Sequence, residues 1–171
     1  MSEALLRVIR IVEGTSVDGP GLRTSIYFAG CRHRCPGCHN PGSWDFNAGE
    51  QLSVGELLDI IDYNGYGVTL SGGDPFYQSE DIVPLAKALK ERGLSLWAFT
   101  GFTLEELLSL AAPAGARELL EYVDVLVDGP FIASQRDTSL LFRGSSNQRL
   151  LDLAAMRRHN DGELRLWSPD F

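Results

Sequence analysis

A chain of 171 residues with 44% hydrophobic content is long enough to bury a real core, and residues 1–171 read as a single domain. A formal charge of −8 argues against a nucleic-acid-binding surface, so no nucleic-acid partner is expected. No apolar stretch approaches the roughly 20 residues that span a bilayer, and Met1-Ser2-Glu3 lacks the basic-then-apolar order of a signal peptide. The expectation is a cytoplasmic protein with no membrane partner.

In chain order, Leu5 to Val12 is rich in β-branched residues and reads as a strand, with Arg7 and Arg10 interrupting it. Asp18-Gly19-Pro20-Gly21 is a turn, and Arg23 to Ala29 is the next strand, which the cysteines follow directly. Leu52 to Asp62 reads as a helix that Ser53 caps, with Glu56 three residues on. Gly67 to Leu70 is a short strand ending in Gly72-Gly73-Asp74. Ser79 to Arg92 is a helix closed by Gly93, with Lys87, Lys90 and Arg92 toward its C-terminal end. Leu94 to Phe99 is a strand. Thr103 starts another helix with Glu106 as its capping partner, Pro113 interrupts it, and Arg117 to Glu121 is a second helical piece. Val123 to Val127 is a strand running into Asp128-Gly129-Pro130. Beyond it, Leu150 to Arg158 is expected to be a helix and Leu164 to Trp167 a final strand. Alternating strands and helices imply parallel βαβ units of an α/β fold. The length is short of the roughly 250 residues of a complete eight-unit barrel.

All three cysteines of the chain fall in Cys31-Arg-His-Arg-Cys35-Pro-Gly-Cys38. An odd count confined to one loop is a poor disulfide framework, whereas three thiolates converging from one loop suit a metal. They leave a cubane iron–sulfur cluster one protein ligand short of four, a position open to a small molecule. A zinc site with His33 or His39 as fourth ligand is the structural alternative, though a compact one. Arg23, Arg32 and Arg34 flank the thiolates and would offset negative charge there.

The cysteine loop, Gly72-Gly73-Asp74, Thr100-Gly101 and Asp128-Gly129 each follow a strand. In parallel α/β architectures those strand ends gather on one rim, where ligands bind. Gly72 and Gly73 would let backbone approach a ligand closely, or form a simple turn before Pro75. Asp128 would face the ligand or cap its own turn. The segment from Arg143 to Arg149 is dense in donors and acceptors, and Arg143 is suited to a carboxylate.

The Cys-x3-Cys-x2-Cys spacing resembles the radical S-adenosylmethionine (SAM) enzymes. Cys38-His39-Asn40-Pro41-Gly42-Ser43-Trp44 looks like the loop of the activases of glycyl radical enzymes. Ser16-Val17-Asp18-Gly19-Pro20-Gly21-Leu22-Arg23, Ser71-Gly72-Gly73-Asp74-Pro75-Phe76, Val127-Asp128-Gly129-Pro130-Phe131 and Phe142-Arg143-Gly144-Ser145-Ser146-Asn147-Gln148-Arg149 are similar to the branch that serves anaerobic ribonucleoside-triphosphate reductase. The resemblance runs from about Ile9 to Arg149.

It implies a partial, open (β/α) barrel of the radical SAM type, truncated relative to eight units. It implies a [4Fe–4S] cluster on Cys31, Cys35 and Cys38 as metal ligands and catalytic centre, with SAM on the unique iron. One electron would cleave SAM, and the resulting radical would take hydrogen from a glycine of the reductase. A flavodoxin or ferredoxin would donate the electron. Gly72, Gly73, Asp74, His39, Asp128, Arg143, Ser145 and Asn147 are the implied SAM contacts, with Asp74 accepting from the methionine ammonium. The aromatic residue often found before the third cysteine is here Gly37, which leaves His39, Trp44 and Phe46 as candidates to cover the adenine. The aspartate expected at the preceding strand end is here Thr100. Two other readings stay open: activation of another glycyl radical enzyme, and modification of a peptide. An electron-transfer module would want four protein ligands and gain nothing from Gly72-Gly73-Asp74.

Overall fold

The computed structural model describes residues 4–33, 35–37 and 41–169. Seven strands form one sheet: β1 (Leu5–Thr15), β2 (Arg23–Phe28), β3 (Glu50–Ser53), β4 (Gly67–Gly72), β5 (Leu96–Phe99), β6 (Val125–Asp128) and β7 (Arg149–Asp152). Their spatial order is β3-β1-β2-β4-β5-β6-β7. The central four, β2, β4, β5 and β6, run parallel, while β1, β3 and β7 pair antiparallel at the flanks. The sheet is mixed and not closed.

Among the described residues there are five α-helices: α1 (Val54–Asn64), α2 (Ser79–Glu91), α3 (Leu104–Leu107), α4 (Ala116–Leu120) and α5 (Leu153–His159). Their starts are set locally. Ser53 and Glu56 form a reciprocal capping box on α1, and Thr103 and Glu106 form another on α3. Gly65 accepts the left-handed conformation that closes α1, at φ 69°.

Strand alternation divides the sheet into two unlike faces. Leu6, Val8, Ile26, Phe28, Val68, Leu70, Leu96, Ala98, Leu126 and Leu151 join residues from all five helices in one buried apolar cluster. The opposite face is polar toward β2 and β4, with Ser25, Tyr27, Thr69 and Ser71. Toward the far flank it carries a smaller cluster of Trp97, Val125 and Val127 packed by Phe99, Phe142, Leu150 and Trp167. Because the helices cover one face only, the other remains available for a ligand.

Three elements depart from expectation. The segment starting at Leu150 is not one helix: Arg149–Asp152 pairs with β6, and α5 begins only after Asp152, whose carboxylate accepts from the Ala155 N–H at 2.9 Å. Short apolar runs do not distinguish the two states, and the unpaired edge of β6 decides. Glu50–Ser53 becomes a strand through its pairing with β1. Instead of a strand at Leu164–Trp167 there is a single bridge, Leu151 to Leu166.

Candidate functional site

The C-terminal ends of β2, β4, β5 and β6 open on a cavity of about 720 Å³ on the sheet face that the helices leave bare. Cys31 and Cys35, Gly72 and Gly73, Thr100 and Gly101, and Gly129 all reach its wall. The four post-strand loops therefore meet. Phe131, Phe142, Arg143, Gly144 and Gln148 close the far side. Cys38, His39, Asn40 and Arg34 lie outside the described residues, so the expectations placed on Cys38 and His39 have no structural account here.

The floor of the cysteine loop rests on the Gly72-Gly73 turn. The Gly73 N–H donates to Phe28 O at 2.9 Å, the Asp74 N–H to Gly30 O at 2.8 Å, and the Gly30 N–H to Ser43 O at 2.7 Å. A side chain at Gly72 would put its Cβ 2.2 Å from Phe28 N, and one at Gly73 would put it 2.6 Å from Gly30 O. The close backbone approach that these glycines permit is, in this structure, an approach to the chain's own cysteine loop. Gln78 secures the same loop from below by donating to Arg7 O and Ala29 O, both at 3.0 Å.

Asp74 is fully buried, and its carboxylate is enclosed by protein donors. His33 Nε2 lies 2.7 Å from Oδ2, Thr100 Oγ1 donates at 2.8 Å, the Gly101 N–H at 2.9 Å, and the Phe76 N–H reaches Oδ1 at 3.0 Å. This differs from the direct ligand contact expected of Asp74. A carboxylate with four donors has no unsatisfied capacity to turn outward, and it is Gly72 and Gly73, not Asp74, that line the cavity. Burial pushes the neighbouring Tyr77 hydroxyl above its usual range, with negative charge at Asp74 and Cys31 adding to the effect.

Asp128 also turns away from the cavity. It is 1% exposed, pairs with Arg149 through Nε at 2.9 Å and through Nη2 as well, and accepts from the Leu104 N–H at 2.8 Å at the start of α3. Arg149 reaches on to Glu105 at 2.8 Å, and that contact holds the Glu105 carboxyl below its usual range. Ser145 and Asn147 are likewise internal. Ser145 Oγ donates to Asn147 Oδ1 at 2.6 Å, Asn147 Nδ2 donates to Pro130 O at 2.7 Å, and Gln148 Nε2 donates to Gly129 O at 3.0 Å. The late Gly-Ser-Ser-Asn-Gln-Arg segment is thus a clasp on Asp128-Gly129-Pro130. Arg143, like Gly72 and Gly73, is an expected contact that does line the cavity. Its Nη1 donates to Gln148 O at 2.8 Å, while its buried Nε has no hydrogen-bond partner among the described residues.

The other expected neighbours are placed differently. Arg23 sits at the opposite end of β2 from the cysteines, 2% exposed, donating to Val68 O, Ser95 O and Thr69 Oγ1 and lying over the Trp97 ring. Burial brings its pKa down to about 10, with Asp124 opposing the shift, so it is still charged at neutral pH. Arg32 stacks on Phe46, 5.2 Å from the ring centroid. Neither Phe46 nor Trp44 lines the cavity. The aromatic residues that do are Tyr27, His33, Phe99, Phe131 and Phe142. Tyr27 donates to Asp18 Oδ2 at 2.6 Å, a pair whose members reach the same wall from the β1–β2 turn and from β2. Strand alternation put Tyr27 on this face but gave no hint of its partner.

The site fits a cluster and a nucleotide-sized ligand on three counts. Two of the three thiolates stand at one end, the volume lies within the roughly 300–1,000 Å³ of small-molecule sites, and a buried guanidinium nitrogen is left for an anion. Comparison with known proteins agrees with the donor set. The family model described as a 4Fe-4S single cluster domain matches residues 17–151. In fold, the chain resembles QueE from Escherichia coli, with a TM-score of 0.51 at 16% identity over 72% of this chain and 71% of that one. The anaerobic ribonucleoside-triphosphate reductase-activating protein of Haemophilus influenzae is 38% identical over 143 residues, spanning 77% of this chain and 88% of the relative. That of Escherichia coli K12 is 37% identical, over 77% and 89%, and that of Enterobacteria phage T4 is 35% identical, over 82% and 90%. With the cysteine loop, the glycine shelf beneath it and the late clasp all inside the matched span, the chain belongs to the family of anaerobic ribonucleoside-triphosphate reductase-activating proteins.

Proposed function

We propose that this chain is a radical SAM activase that sets a glycyl radical on an anaerobic ribonucleoside-triphosphate reductase. The observation that carries it is the single cavity in which Cys31 and Cys35 face Gly72-Gly73, Gly129 and Arg143. Cys31, Cys35 and Cys38 would hold the [4Fe–4S] cluster as its three protein ligands. A cluster with SAM on its fourth position supplies one-electron cleavage of the sulfonium carbon–sulfur bond and abstraction of hydrogen from a glycine Cα.

The protein's own residues orient and shield. Gly72 and Gly73 offer backbone at the methionine end. Arg143 Nε is the donor for a carboxylate, a charge-assisted bond in a partly dry setting. Phe99, Phe131 and Phe142 provide apolar wall for the adenine and exclude water. Asp74 and Asp128 act behind this wall, holding the loops that carry it. The sheet is read as a partial, open (β/α) barrel and the chain as one domain, so that a protein loop enters from the uncovered side. Electrons would come from a flavodoxin or ferredoxin in the cytoplasm. Among the described residues, no helix is long and apolar enough to cross a membrane.

The test is anaerobic incubation of reconstituted protein with reductant, SAM and the reductase. The expected result is 5′-deoxyadenosine and a doublet radical signal on the reductase, with deuterium transferred from Cα-deuterated glycine. A radical formed only on a different glycyl radical enzyme would move the chain to that substrate. SAM cleavage with no such radical on any of them would favour a peptide-modifying enzyme.

A further inference from the structure

The cysteine loop has an anchor that neither the thiolates nor the glycine shelf provides. His33, midway between Cys31 and Cys35, borders the cavity and directs its ring onto the fully buried Asp74, its own side chain being 16% exposed. The ring edge packs on Phe102 at 4.5 Å between centroids and lies 5.7 Å from Tyr77. Gly101 is bare beneath it, and a Cβ there would stand 2.6 Å from His33 Cδ2. Asp74 receives Nε2 at 2.7 Å while holding Thr100 Oγ1 and the Gly101 N–H. One carboxylate thus joins the cysteine loop, the β4 end and the β5 end.

We propose that His33 is a positioning residue, a latch that fixes the Cys31–Cys35 segment over the Gly72-Gly73 shelf through Asp74. The inference rests on the activase reading for what the loop carries. The latch itself is a matter of this chain's own contacts. Hydrogen bonds to a buried carboxylate are directional and strong, so losing one lets the loop shift relative to the shelf. A displacement of about 1 Å is enough to spoil a reacting geometry. The ligand set is untouched, so the latch governs where the cluster sits rather than whether it forms.

The test compares wild type with His33→Ala, His33→Asn and His33→Gln. The Gln amide nitrogen can stand where Nε2 does, whereas Asn is too short. In the metal-free proteins, amide exchange at Gly101 should quicken about tenfold or more in the Ala and Asn variants and return toward wild type in the Gln variant. In the reconstituted proteins, iron content should be equal in all four. The change in the reduced paramagnetic resonance spectrum on adding SAM should need about ten times more SAM in Ala and Asn than in wild type or Gln. Wild-type exchange at Gly101 in the Ala variant, or a SAM titration in which Gln fares no better than Ala, would overturn the latch. A wild-type protein that takes up iron yet ignores SAM would sink the activase reading, and Gly101 exchange would still decide the latch.

Discussion

Asp74, just past the end of β4, and Asp128, the last residue of β6, belong to the same parallel array, and both are almost completely buried. Asp74 gathers a histidine, a hydroxyl and two backbone N–H groups from segments that converge around the cysteine loop. Asp128 faces a guanidinium from the antiparallel edge strand and the first turn of a short helix. The first is an organiser of the cysteine end of the cavity, built almost wholly from partners that carry no fixed charge. The second is an ion-paired clasp at the sheet flank, and Arg149 is its solvent-facing member, with a side chain 30% exposed. Strand-end carboxylates beside a ligand cavity need not touch the ligand. Here both are engaged by protein donors and hold the loops around the cavity.

The two halves should separate most sharply when the thiolates are removed. Cys31→Ala or Cys35→Ala should abolish glycyl radical formation, whereas Arg149→Met should keep iron uptake intact. Iron analysis alongside the radical yield checks this, and full activity in either cysteine variant would end the cluster assignment. Next in size is Asp74→Ala, which strands several buried donors and should cost about 3–5 kcal/mol in urea unfolding of the metal-free protein. Arg149→Met should cost less, about 1–2 kcal/mol, because half of its pairing is screened at the surface. Equal losses would erase the distinction between organiser and clasp. Gly73→Ala, whose Cβ would meet the Gly30 and Ser43 carbonyls at 2.6 and 2.7 Å, should destabilise by about 1–3 kcal/mol.

The smallest effect concerns Tyr27 on the open face. Burial, reinforced by its bond to Asp18, pushes its hydroxyl up to about 12. A folded-state value above the unfolded one of about 10 means that its contribution is intact below pH 10 or so and fades as pH rises through about 12. Tyr27→Phe should therefore narrow its stability deficit over that window in urea titrations. A deficit that is constant with pH would show that the hydroxyl proton is not linked to folding.

Much of the site was legible because its signals are local. Three cysteines in eight residues, the βαβ alternation and the two capping boxes depend on neighbours in sequence, and each box forms as Ser53/Glu56 and Thr103/Glu106 prescribe. Post-strand placement brought the four loops together because parallel strands share one C-terminal rim. Asp74 and Asp128 were harder to read. Their types and positions suggested ligand contacts, yet who satisfies a buried carboxylate depends on what register and packing bring within reach.

The sequence by itself determined that all three thiols fall in one loop, the order of strands and helices through β6 apart from β3, and the loops that form the rim. Only the tertiary structure decided what those loops do for one another. His33 and Thr100 meet Asp74 across 41 and 26 residues, and Arg149 meets Asp128 across 21. It also turned Arg149–Asp152 into a strand, since an unpaired edge of β6 outweighs a weak helical pattern, and set Arg23 far from the cysteines at the other end of β2. Hydrogen bonds between distant segments are assigned by strand register and burial, which no short window of residues encodes.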